Sequence, residues 1–106
     1  MNAKRSHKYR VRLNVLSEHT PSTLAGNTLL RFEIQSHDDI LAIAERLKVG
    51  TPFAEPEAYA LAVGVKLFTG VMLAHSSDPL FSDIQPAMRA FIRNLKSQVA
   101  ASLSSA

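Results

Sequence analysis

Residues 7–16, HKYRVRLNVL, alternate: Tyr9, Val11, Leu13 and Val15 fall on one side, and Lys8, Arg10, Arg12 and Asn14 on the other. A period of two is the mark of a half-buried strand. Residues 17–27, SEHTPSTLAGN, break the pattern with Pro21, Gly26 and Asn27 and read as a loop. Alternation resumes with Leu30, Phe32 and Ile34 against Arg31, Glu33 and Gln35. Two neighbouring strands joined by a loop pair most simply as an antiparallel hairpin.

The period then changes from two to that of a helix. Ile40, Ile43, Ala44 and Leu47 recur at helical spacing, with Glu45, Arg46 and Lys48 on the other side. Ser36 is the expected N-cap, with Asp39 in a capping-box relation, and Gly50 the expected C-cap before Pro52. A second helix begins near Glu55-Pro56-Glu57, where proline suits the first position and the acids suit the dipole. From Ala58 to Ala74 its only charge is Lys66. The expected inward stripe is Leu61, Val65, Phe68 and Met72, with Tyr59, Ala62, Lys66, Gly70 and Leu73 roughly opposite. So apolar a helix is buried on most sides or spans a membrane. The uncharged stretch falls short of the roughly 20 residues a span needs, and Lys66 sits at its centre. The expectation is therefore a largely buried central helix and no membrane.

Residues 75–81 read as a connection. Ser82 with Gln85 forms a second capping-box pattern, and Pro86 lies in the first turn of a third helix. Ile84, Met88, Phe91 and Leu95 form its expected inner face, with Arg89, Arg93 and Lys96 outward. From residue 97 the pattern fades into Ser and Ala. The expected organisation is a basic tail at 1–6, one α+β domain at 7–96 and a frayed tail at 97–106.

Composition narrows the chemistry. The 106 residues contain no cysteine, which excludes a disulfide scaffold, a thiolate metal site and a cysteine nucleophile. The formal charge of +3 is unevenly placed. Lys4, Arg5, Lys8, Arg10 and Arg12 lie in the first twelve residues without an acid, so the remainder is slightly acidic. The sequence pI of 9.6 therefore describes one patch and not the whole surface. No apolar run follows the basic start, so no secretory signal is expected, and a cytoplasmic location is the default.

Four constellations carry possible chemistry. The cationic ladder Lys4, Arg5, Lys8, Arg10 and Arg12 suits phosphate contacts. It lacks exposed aromatic rings for stacking and any reader motif, and it also serves as a solvated strand face that resists edge-to-edge pairing. His37-Asp38-Asp39 holds ligand-type residues, but consecutive helical side chains diverge by about 100°, and capping uses them fully. His75 with Asp78 forms a loop pair without a nucleophile motif, and His75 also suits the C-terminal end of the central helix. Lys66 lies between Gly64 and Gly70, each costing about 1 kcal/mol of helix propensity relative to alanine. Close approach of a strand or partner helix is the natural reason for the glycines. Lys66 is either a buried amine of the Schiff-base kind or a side chain that snorkels to water. No metal site and no cofactor are expected.

The strand ending in His37-Asp38-Asp39 before Ile40, the run from Ala60 to Phe68, Val71-Met72-Leu73 and Pro79-Leu80-Phe81 together resemble a family of small bacterial cytoplasmic proteins of unknown function. The resemblance spans about residues 7–96, and the central run is its most specific part. It implies a shared α+β fold and no assigned reaction. In the family pattern the position of Gly70 is often acidic, and this chain departs from it there. The resemblance suggests His37, Asp38, Lys66 and Phe68 as positions to test.

The sequence thus leads to an antiparallel β-hairpin followed by three helices. An apolar helix and a hairpin with open edges exceed what so short a chain covers, which favours a homodimer. The functional expectation is a self-associating interaction or regulatory module without catalysis. The alternatives are a nucleic-acid-binding accessory protein using the basic N-terminal strand, and a small-ligand or enzymatic site near His37, Lys66 or His75.

Overall fold

The computed structural model describes residues 6–16 and 29–104. The expected loop at 17–27, and with it His19, lies outside the described residues, as do Lys4 and Arg5 in the basic tail. The chain divides into two compact units, Met1–Asp38 and Asp39–Ala106.

The first unit is the expected hairpin. Strand β1 (His7–Asn14) pairs antiparallel with β2 (Leu29–Ser36). The register sets Tyr9 opposite Ile34, Val11 opposite Phe32 and Leu13 opposite Leu30, so the apolar residues share one face. Lys8 faces Gln35, Arg10 faces Glu33 and Arg12 faces Arg31 on the other. A one-residue slip would send every apolar side chain to the wrong face, so the alternation itself pins this register.

The second unit holds three helices: α1 (Ile40–Gly50), α2 (Glu55–Ala74) and α3 (Ile84–Ser104), with a 3₁₀ turn at Pro79–Phe81. Helix α1 begins one turn later than Ser36 suggests. The cap is Asp39, whose Oδ1 accepts from the Ala42 N–H at 3.1 Å. Ser36 instead accepts from the Asp38 N–H at 3.0 Å, forming a local turn that ends the strand. At the other end Gly50 is the last helical residue and Thr51 is the cap. The reason for glycine is space. A Cβ at position 50 would lie 2.8 Å from Val99 Cγ1 and 3.3 Å from Val99 Cα. The absent side chain lets α3 lie against the end of α1.

Helix α2 starts as expected, with Ala54 as cap, Pro56 in its first turn and Glu55 and Glu57 at the positive dipole end. Its inward face overlaps the expected stripe at Met72 and, in part, at Leu61, but is turned toward Ala58, Ala62 and Thr69. The buried residues are Ala58, Ala62, Thr69 and Met72, while Phe68 is exposed. Small residues decide the face, because Ala58 and Ala62 let the helix come close to its neighbours, whereas a leucine or phenylalanine there would hold it off. Thr69 is accommodated by donating its hydroxyl to the Val65 carbonyl at 2.7 Å. Only this one face is buried, so the expectation of cover on most sides is corrected. At 20 residues α2 is also long enough and apolar enough to cross a membrane by length and composition alone, so shortness does not argue against a span. Lys66 at its middle and the packed Ala58–Ala62 face are the features that remain against it.

Helix α3 departs most from expectation. It does not fray at 97 but continues to Ser104, with Val99 buried. The core of the unit is Ala44, Leu47, Ala58, Ala62 and Val99, flanked by Leu95 and Leu103. Nor do Ser82 and Gln85 form a capping box. Ser82 donates its hydroxyl to the Pro79 carbonyl at 2.9 Å, and Gln85 donates through Nε2 to the Ser76 carbonyl at 2.6 Å. Both side chains secure the 75–82 connection. Phe81 is buried there and meets Phe68 edge-on, ring centroids 6.1 Å apart.

Candidate functional site

Two of the sequence candidates are occupied by structural tasks. Of the His37-Asp38-Asp39 triplet, Asp39 caps α1, and His37 and Asp38 lie in the exposed turn before it. Among the described residues no group of three or more His, Asp or Glu is placed to hold a metal ion. His75 caps the C-terminus of α2, its backbone N–H donating to the Val71 and Met72 carbonyls. Asp78 caps the 3₁₀ turn, Oδ1 accepting from the Leu80 N–H at 2.9 Å. The pair meets through the backbone, the Asp78 N–H donating to the His75 carbonyl at 3.0 Å. The Asp78 carboxylate is thus taken up by the turn it caps.

The cationic strand face is partly neutralised. Arg10 donates through Nε and Nη2 to Glu33 Oε2, at 3.2 and 2.8 Å. Lys8 and Arg12 share that face, and Arg31 joins them directly across from Arg12. Arg31 stood outside the cationic ladder read from the sequence because its cationic neighbour lies across the hairpin and not along the chain.

A polar cluster joins α1 to α2 on their exposed sides. The Tyr59 hydroxyl donates to Glu45 Oε2 at 2.8 Å. Lys48 Nζ lies 3.3 Å from Glu45 Oε1 and 3.5 Å from Glu55 Oε2. The Tyr59 hydrogen bond, then the Lys48 ammonium, holds the Glu45 carboxyl below its ordinary value. Glu45 in turn raises Lys48 and Tyr59. Each group gains a partner for the form it carries at neutral pH, so the cluster is a tie and not a poised acid or base.

The remaining candidate, Lys66, sits at a cavity of about 210 Å³ lined by all three helices. Leu47, Ala62, Val65, Leu95 and Val99 supply most of its apolar wall. Its polar lining is Arg46 from α1, Lys66 from α2 and Lys96 from α3. Among the described residues none of the lining side chains is acidic. His75 does not line it. Three residues far apart in sequence thus bring one cation each to a single apolar hollow, an arrangement with no local spacing signal.

A hairpin with one apolar face and three helices around a small core define an α+β class of protein. The chain belongs to the family described as a domain of unknown function with a solved structure (DUF3861), whose model matches residues 7–97. It is similar to the crystal structure of a protein of unknown function from Pectobacterium atrosepticum, with 29% identity and a TM-score of 0.76. That match covers 88% of this chain and 99% of the bacterial one. No curated protein matches the chain. The expected kinship with small bacterial proteins of unknown function therefore holds, together with the fold it implied.

Proposed function

We propose that this protein is an interaction or regulatory module that works as a two-fold homodimer, built on the outward face of α2. The observation that carries this reading is the apolar surface left open there. Ala60, Gly64, Leu67 and Val71 recur at spacings of four, three and four, turned away from the buried Ala58–Ala62–Thr69–Met72 face. Val71 is 54% exposed and Phe68, beside it, 40%. A helix that faces water normally carries charge on this side. Gly64 adds to the argument, because nothing lies within 4 Å of where its Cβ would stand. A helix-interior glycine costs about 1 kcal/mol, and within one chain it returns no packing. A second helix approaching over Gly64 would supply the reason, and two-fold pairing is the simplest closed arrangement. The hairpin adds weight, since two strands alone are marginal in water and their apolar face calls for cover.

Light scattering coupled to size exclusion at micromolar concentration tests the reading. The expected species has about twice the 11.6 kDa chain mass, and Val71→Asp, placing a charge on the outward face, is expected to return it to one chain. A single 11.6 kDa species for the unaltered protein at every concentration up to the millimolar range would overturn it.

A further inference from the structure

The cavity between the helices lies on the opposite side of α2 from the proposed dimer face, and it carries an inference of its own. We infer that it binds a small organic anion with a compact apolar body, such as a carboxylate or phosphate monoester on a short chain or single ring. Two observations fix that class. The wall is apolar, and the polar lining is Arg46, Lys66 and Lys96, one cation from each helix, with no acid among the lining residues described. Cations brought by three helices to one hollow make it attractive to an anion. Arg46 and Lys96 are exposed and Lys66 is half-buried, so added salt is expected to weaken the attraction.

Size sets the second limit. At about 30 Å³ per water, 210 Å³ corresponds to roughly seven water volumes. That lies below the roughly 300–1,000 Å³ of pockets for drug-sized ligands. An apolar body of about six to eight carbons matches that volume. Arginine and lysine suit both carboxylate and phosphate heads, the guanidinium by paired hydrogen bonds and the ammonium as a point charge.

Titration of ¹⁵N-labelled full-length protein, followed by amide shifts, tests this with four probes: octanoate, octyl phosphate, octanol and inorganic phosphate. Saturable shifts confined to α1, α2 and α3 around Leu47, Ala62, Leu95 and Val99 are expected with octanoate or octyl phosphate, and the tighter of the two identifies the head group. Octanol, with the chain and no charge, and inorganic phosphate, with charge and no chain, are each expected to bind at least tenfold more weakly. Lys66→Met and Lys96→Met keep the apolar stems, and each is expected to weaken the amphipathic anion three- to tenfold while leaving octanol unchanged. Ala62→Leu fills the hollow and is expected to abolish binding. Should that variant fail to fold, the lysine variants still decide. The inference is overturned if octanol binds as tightly as octanoate and octyl phosphate, if inorganic phosphate does, if the shifts lie away from the cavity, or if neither amphipathic anion saturates.

Discussion

At the scale of single residues, the glycines separate by what surrounds them. Gly50 is held against Val99, so Gly50→Ala must push the last turn of α1 away from α3. Overpacking of this kind costs about 1–3 kcal/mol, and a lower urea midpoint with an unchanged denaturant slope is the expected result. Gly50 was legible as a helix end but not as a contact, because α3 reaches it from 49 positions away in sequence. Glu45 makes a second residue-scale case. Its folded pKa is depressed from 4.5 by the Tyr59 hydroxyl and then Lys48. The stability it contributes is therefore fully present above 4.5 and lost as pH falls through the folded value. Tyr59 is raised above 10.0 by the same bond, so its contribution is present below 10.0 and lost as pH rises through the folded value. Tyr59→Phe removes the shared bond. The NMR titration of the Glu45 carboxyl is expected to move up toward 4.5 in that variant, and the stability gap between variant and parent to narrow below that pH. The Glu45, Lys48 and Glu55 side chains are open to solvent, so the gap at neutral pH is expected to be small.

At the scale of elements, legibility followed the sharpness of the pattern. The hairpin could be read directly, because Tyr9, Val11 and Leu13 leave one register that keeps the faces separate. Helix α2 gave its limits but not its orientation. With leucine, valine or phenylalanine on every side, hydrophobicity no longer points inward, and the small Ala58 and Ala62 choose the face instead. Helix α3 gave the opposite difficulty. Val99 and Leu103 continue the Met88–Ile92–Leu95 row at helical spacing, but Ser and Ala between them dilute the signal. The consequence is testable. If residues 97–104 were a loose tail, their removal would leave stability unchanged. Because Val99 lies in the core beside Leu47 and Ala62, a chain ending at Lys96 is expected to lose cooperative unfolding. Val99→Ala, which keeps the helix, is expected to cost about 2 kcal/mol in chemical denaturation. The cavity escaped the sequence reading for a related reason. Its cations sit at positions 46, 66 and 96, and only the packing of three helices brings them to one hollow.

At the scale of the whole molecule, the question is where the apolar excess of the sequence goes. The core that forms is modest, with Ala44, Ala58 and Ala62 among its five buried members. Much of the large apolar surface stays exposed instead, on Leu13 and Leu30 of the hairpin and on Phe68, Val71 and Leu73 of α2. If a second copy covers part of it, folding and association are linked, and stability must depend on protein concentration. The thermal midpoint is then expected to rise as the protein is taken from the micromolar to the millimolar range. Gly64→Ala gives the same linkage a sign. In an isolated chain the added methyl enters open space and the better helix propensity stabilises by about 1 kcal/mol. At a helix–helix contact made possible by that glycine, the methyl holds the partners apart. The variant is then expected to gain stability when dilute, lose it when concentrated, and shift the light-scattering mass toward one chain. A midpoint independent of concentration, with Gly64→Ala stabilising throughout, would place the glycine in open solvent and leave the face of α2 without a second copy.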